Sequence, residues 1–234
     1  MYPMAYGYYD SGLLIAILAV FVLGLIAQAR VKSTFNKFAQ VQASARLPAH
    51  VVAQQLLDRG GSSVRLTQVG GSLTDHYNPK AGEVGLSTSV YGSESVGALA
   101  VAAHEIGHVM QYQEGYLPIR VRNAILPVAS IGSSAAPWIT LLGVLFGQYS
   151  LAMVGVWLFL GILLFQFITL PVELDASHRG IAMLEEGGYI TVQERRGARS
   201  VLNAAAMTYV VAALSALVSF LRLFLMARST RRNR

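Results

Sequence analysis

Residues 101–111 read VAAHEIGHVMQ, and within them His104, Glu105 and His108 have the types and spacing of two metal ligands beside an acid. On an α-helix, residues i and i+4 lie one turn apart on the same face. His104 and His108 can therefore offer two imidazole nitrogens to one ion about 2 Å away. Glu105, adjacent to the first ligand, can reach a water on the same ion and take its proton. The chemistry open to such a trio is activation of water for hydrolysis. The competing reading is a helix whose two histidines serve packing alone.

A third ligand separates these readings. The chain has no cysteine, so thiolate ligands and disulfides are excluded and only His and carboxylates remain. Glu114, six positions after His108, would complete one known pattern if a glycine turned the chain first. Instead Gln111-Tyr112 continues the helix and leaves Glu114 roughly 240° round from His108, as a solvated carboxylate. The next candidates lie in TLPVELDASHRGIAMLEEGG, residues 169–188, where Pro171 suits the first turn of a new helix. Glu173 shares a face with Ser177 and Gly180, and Asp175, about 200° away, is its competitor. A glutamate near a helix start is also favoured by the helix dipole without any metal. A His-His-Glu set leaves the fourth position open, as catalytic zinc sites do, whereas structural sites use four protein ligands.

Other residues are weaker candidates. His76 in TDHYNP, with Tyr77 behind it, is the candidate extra donor to an oxyanion; a turn residue bonded to its neighbours is the alternative. Residues Val84–Leu86 could form a strand edge that pairs with an extended substrate. His178 reads as a surface histidine, and His50 has no assigned role.

The elements that must position these groups are mostly apolar. Of 234 residues only 13% are charged, against about 25% in a soluble domain. The net charge of +6 does not point to nucleic acid, because the basic residues flank apolar segments in a membrane-topology pattern. Four stretches are long and apolar enough to span a bilayer: 13–29, 124–146, 151–170 and 201–226. The first is a retained anchor with tyrosines at the interface rather than a signal peptide, since no Lys or Arg precedes it. The second, with Pro127 and Pro137, should kink; with the third it forms a hairpin around 147–150. Arg222 in the fourth must pair or snorkel.

Four crossings put the two polar segments, 30–123 and 171–200, on one side. They hold thirteen Lys and Arg against four in the tail beyond the last span, which favours the cytoplasm for the polar side. The basic tail pulls the other way. Within the polar segments, RLPAHVVAQQLLDRGG reads as a helix, SVRLTQV as a strand and Glu83–Ser87 as a second strand. A helix from Glu94 to Gln113, capped by Ser93, carries the histidines. Its apolar start, VGALAVAA, is too short to cross a membrane, and the Asp-Gly motif of intramembrane proteases is absent.

Together VAAHEIGHVMQ, LTDHYNP, QFITLPVELDAS and GARSVLNAAAMTYV resemble the bacterial neutral zinc metallopeptidases of the YugP type, which are membrane-embedded gluzincins. The resemblance covers most of the chain. It implies Zn2+ held by His104, His108 and Glu173, with Glu105 catalytic. A more distant similarity links the chain to the CAAX-prenyl endopeptidase and heat-shock membrane protease group, whose third-ligand helix reads Glu-x-x-Ala-Asp. Glu173 and Ala176 match that pattern, but Ser177 stands at the Asp position, so Asp175 is expected to orient a ligand instead.

The expected fold is a mainly α polytopic membrane protein of about four transmembrane helices with a small α+β zincin-like catalytic region. Its expected segments are an anchor (1–30), a catalytic region (31–123), a transmembrane hairpin (124–170), a third-ligand helix and loop (171–200), and a last helix with basic tail (201–234). The expected activity is peptide-bond hydrolysis at the cytoplasmic face of a bacterial inner membrane. Its partners would be a peptide or protein substrate and the bilayer, with no nucleic acid. The alternative is a catalytically silent scaffold, which has no need to keep Glu105.

Overall fold

A computed structural model describes residues 4–232, with the side chains of residues 11–231. The tyrosines expected at an interface (Tyr2, Tyr6, Tyr8 and Tyr9), and Arg232 and Arg234 of the tail, lie outside the described side chains. The chain is a mainly helical polytopic membrane protein with a small α+β region. Its elements are α1 (Met4–Phe38), α2 (Ala49–Arg59), β1 (Arg65–Val69), β2 (His76–Asn78), β3 (Glu83–Ser87), α3 (Thr88–Tyr91), α4 (Val96–Gln113), α5 (Leu117–Leu145), α6 (Tyr149–Glu186) and α7 (Val192–Arg232).

Among the described residues, α1, α5, α6 and α7 are long and apolar enough to cross a membrane; α4 is not one of them. They also show their apolar side chains outward: Leu18 and Phe21 on α1, Ile131 and Trp138 on α5, Trp157 and Phe167 on α6, Leu214 and Leu221 on α7. In water so much exposed apolar surface would drive association; hydrocarbon is its natural solvent. Contacts divide the chain into two compact units, the first comprising Met1–Ile26, Arg120–Leu170 and Thr208–Arg234.

Within that first unit, α5 and α6 are joined by a short turn at Gly147, φ 63°. Small residues set their spacing. A Cβ on Gly155 would meet the Ala136 carbonyl at 2.6 Å, and one on Gly132 the Leu158 carbonyl at 2.9 Å. Close backbone approach of this kind is how helices associate where lipid removes the hydrophobic drive. Pro127 and Pro137 sit inside an uninterrupted α5. Arg222 is exposed.

The second unit, Ala27–Ile119 with Pro171–Met207, brings the two polar segments together. Its core joins Val52, Leu56 and Leu57 of α2, Val84 and Leu86 of β3, Leu99, Ala103 and Ile106 of α4, Leu184 of α6 and Leu202 of α7. The VGALAVAA run is therefore apolar because α4 is buried in this core. The helix starts at Val96 and is capped by Ser95, not Ser93: Ser95 Oγ accepts from the Ala98 N–H at 3.2 Å. Ser93 Oγ instead donates to Ser95 Oγ at 3.0 Å. At the start of α7, the Thr191 N–H donates to Glu194 Oε2 at 2.7 Å and the Glu194 N–H to Thr191 Oγ1 at 3.3 Å, a reciprocal capping box.

Two sequence expectations are corrected. The sheet order is β1-β3-β2, with β1 parallel and β2 antiparallel to β3. Residues Val84–Leu86 thus form the central strand, whose backbone groups are engaged on both sides, and the edges are β1 and β2. Sequence reasoning missed β2 because its three residues run directly into the turn signal Asn78-Pro79-Lys80. Pro171 does not open a new helix; it lies inside α6, which runs unbroken from Tyr149 to Glu186. A proline inside a helix removes one N–H, and the ladder resumes on either side. Glu173 therefore has no helix N-terminus beside it, and the dipole explanation for a glutamate there falls away.

Candidate metal centre

The site is built where α4 meets the later part of α6, both within the second unit. Two glycines allow the approach. A Cβ on Gly107 would overlap the Ala176 carbonyl, and one on Gly180 would lie 2.8 Å from the Ala103 carbonyl and 3.0 Å from the His104 nitrogen. With backbones this close, side chains one turn away on each helix face each other. His104 and His108 present rings with centroids 4.7 Å apart, inclined at 80°.

Glu173 joins them. Its Oε2 lies 3.4 Å from His104 Nε2 and 3.5 Å from His108 Nε2. These separations are long for hydrogen bonds. They fit another geometry: two atoms bound about 2.0–2.1 Å from a tetrahedral zinc sit about 3.3–3.4 Å apart. One ligand atom from each of the three residues falls within 4.8 Å of the others, so the trio can hold a metal ion. Asp175 and Glu114 are not in this group. Glu114 is paired rather than simply solvated, accepting from Arg179 at 2.6 Å.

Around the histidines the other hydrogen bonds engage Nδ1 on both rings, so that each Nε2 faces Glu173. His104 Nδ1 is 3.1 Å from Ser177 Oγ, and His108 Nδ1 is 3.0 Å from Gln111 Oε1. Ser177, expected to leave its ligand without support, itself contacts His104. Asp175 touches neither ring; it acts on Gln111, whose Nε2 donates to it at 2.8 Å. Gln111 was not singled out from sequence, although it stands three residues after His108 and hence on the same helix face.

Glu105 is buried at 8% exposure. Burial pushes its carboxyl above the usual range; charge on His104 and His108 opposes this, and the charges of Asp75 and Glu173 reinforce it. Asp75, also passed over in the sequence, accepts from the Ser87 N–H at 2.7 Å and from Ser87 Oγ at 2.9 Å, which ties the turn before β2 to β3. His76 stands apart from the three-residue group, exposed on β2, with Nδ1 3.0 Å from the Thr74 carbonyl. A carbonyl only accepts, so Nδ1 carries the proton and Nε2 can donate only when the ring is cationic. His178 is exposed, and His50 bonds the Tyr91 carbonyl at 2.8 Å while stacking on that ring.

His108 is raised too: burial alone would lower it, but Glu173 and then Glu105 outweigh that. The sign for chelator-treated protein is the same for both groups. A folded value above the unfolded one stabilises the fold below the unfolded value, and this contribution is lost as pH rises through the folded value. The unfolding midpoint of chelator-treated protein should therefore fall as pH is raised from about 5 to about 8. Zinc-loaded protein, whose ligands must be deprotonated, should show the opposite trend. Parallel melting curves of the two forms across that range would rule the assignment out.

A family profile described as "Putative neutral zinc metallopeptidase" matches residues 13–228. A curated relative from Bacillus subtilis (strain 168), described as "Putative membrane protease YugP", is 42% identical over 213 residues, which is 90% of this chain and 95% of that protein. No solved structure matches significantly.

Proposed function

Since the chain belongs to the neutral zinc metallopeptidase family, we propose that it is a membrane-bound zinc endopeptidase, hydrolysing peptide bonds near the cytoplasmic face of a bacterial inner membrane. The observation that carries this reading is the convergence of His104, His108 and Glu173 around a tetrahedral-sized gap, next to a buried glutamate. His104, His108 and Glu173 would hold the ion. Zinc, when bound, polarises a carbonyl and makes water acidic enough to attack at neutral pH.

Glu105 takes a proton from the attacking water and returns it to the leaving amine. A buried carboxylate next to the first ligand histidine is placed for that exchange. His76, in its protonated form, is the proposed donor to the oxyanion. The substrate is a peptide or protein, and the bilayer anchors the enzyme. The cytoplasmic placement is supported by the Lys and Arg excess in the polar segments, Arg30, Lys32, Lys37, Arg195, Arg196 and Arg199 among them.

The experiment is metal analysis of detergent-purified wild type beside Glu173→Gln, with casein cleavage assayed on the same preparations. Wild type should carry about one zinc per chain and cleave casein, and Glu173→Gln should lose both. A wild type that takes up no metal even when zinc is supplied would return the chain to the scaffold reading.

A further inference from the structure

Gln111 is completely buried on α4, between His108 and the neighbouring segment of α6. Its Nε2 lies 2.8 Å from the Val172 carbonyl oxygen and 2.8 Å from Asp175 Oδ2. Both partners only accept, so the amide has one workable orientation; the reverse would set Oε1 against two acceptors. Oε1 must then face His108 Nδ1, as it does at 3.0 Å, and it can only accept there. The neutral His108 ring is thereby held with its proton on Nδ1 and its Nε2 lone pair on the side of Glu173 Oε2.

We propose that Gln111 is the positioning residue of the metal centre: clamped by Val172 and Asp175 of α6, it selects the tautomer and fixes the ring plane of His108. The proposal rests on the zinc reading of the same site. The clamp is itself held. Arg179 Nε donates to the same Asp175 oxygen at 2.6 Å, its Nη1 donates to Glu114 Oε2 at 2.6 Å, and its guanidinium lies 5.6 Å from the Tyr116 ring. His104 has no equivalent lock, because the Ser177 hydroxyl can donate or accept and selects neither tautomer. The two histidines are thus fixed unequally. The amide also keeps the Asp175 charge one group away from His108, so it orients the ring without bringing a second carboxylate against it.

The test uses full-length protein in detergent, with three readouts: zinc affinity by chelator competition, the visible spectrum of the cobalt-loaded protein, and the unfolding midpoint after chelator treatment. Gln111→Met keeps the length and loses the polar atoms. Gln111→Glu keeps the shape but turns a carboxylate toward Val172 and Asp175. Both should weaken zinc binding about 10–100-fold, the usual range for groups that orient a ligand, and both should change the cobalt spectrum. Asp175→Asn keeps an acceptor for Gln111 Nε2 and should bind zinc nearly as wild type does, whereas Asp175→Leu should follow Gln111→Met. The proposal is overturned if Gln111→Met binds zinc with wild-type affinity. It is equally overturned if affinity drops only in step with the unfolding midpoint while the cobalt spectrum stays unchanged. A wild type that takes up neither zinc nor cobalt removes the zinc reading, and this proposal with it; normal uptake by wild type and by Gln111→Met removes the proposal alone.

Discussion

Glu105→Gln should retain zinc and lose peptide hydrolysis by about 10²–10⁴-fold, the range that a positioned acid–base group contributes. The amide matches the carboxylate in size but cannot accept and hand on a proton at neutral pH. The metal should stay because Glu105 is not among the three residues whose ligand atoms converge. Stability should not suffer either. Glu105 is buried and its charged form is disfavoured there, so removing the charge relieves a desolvation cost. The measurement is the initial rate of casein cleavage, with zinc content and unfolding midpoint on the same preparation. A rate within a few-fold of wild type would sink the assignment of Glu105 as base. Loss of zinc together with activity would show that the residue serves the metal and not the proton.

The second large effect is expected at Gly107, the one residue of the histidine motif whose lack of a side chain matters. An added Cβ would overlap the Ala176 carbonyl, which belongs to the backbone and cannot rotate aside. Overpacking a tight contact costs about 1–3 kcal/mol, and here the strain falls between the two helices that carry the proposed ligands. Gly107→Ala should lower the unfolding midpoint and, by shifting α4 against α6, separate the histidines from Glu173 and release zinc. Gly92→Ala is the control, since nothing lies within 4 Å of a Cβ there and its φ of −94° suits any residue. If Gly107→Ala melts like wild type with its zinc intact, the close approach of these helices is not what sets the site.

Much of this protein follows from local rules that a sequence displays directly. His104 and His108 share a face because a helix repeats every 3.6 residues, whatever surrounds it. The four long apolar helices are readable because bilayer thickness sets their length. The absence of cysteine restricts the ligand chemistry before any folding is considered. Even α2, with Pro48 before it and Gly60 after it, carries its own start and stop.

What sequence could not decide depends on which distant backbones touch. Helix geometry set Glu114 aside from sequence alone, but Glu173 and its competitor Asp175 are separated only by the folded backbone. The close contacts at Gly107 and Gly180 accompany a Glu173 that faces the histidines, while Asp175 pairs with Arg179, as Glu114 also does. Ser93 was the expected cap, yet Ser95, two residues on, is the one whose hydroxyl accepts the Ala98 N–H. Val84–Leu86 became the centre of its sheet because β2, three residues long, pairs with its far side. Gln111 looked like an ordinary helix residue, since the partners that fix its amide, Val172 and Asp175, come from α6. Periodicity and hydropathy are properties of one segment, whereas ligand choice, edge exposure and tautomer are properties of pairs, and pairs exist only once the chain has folded.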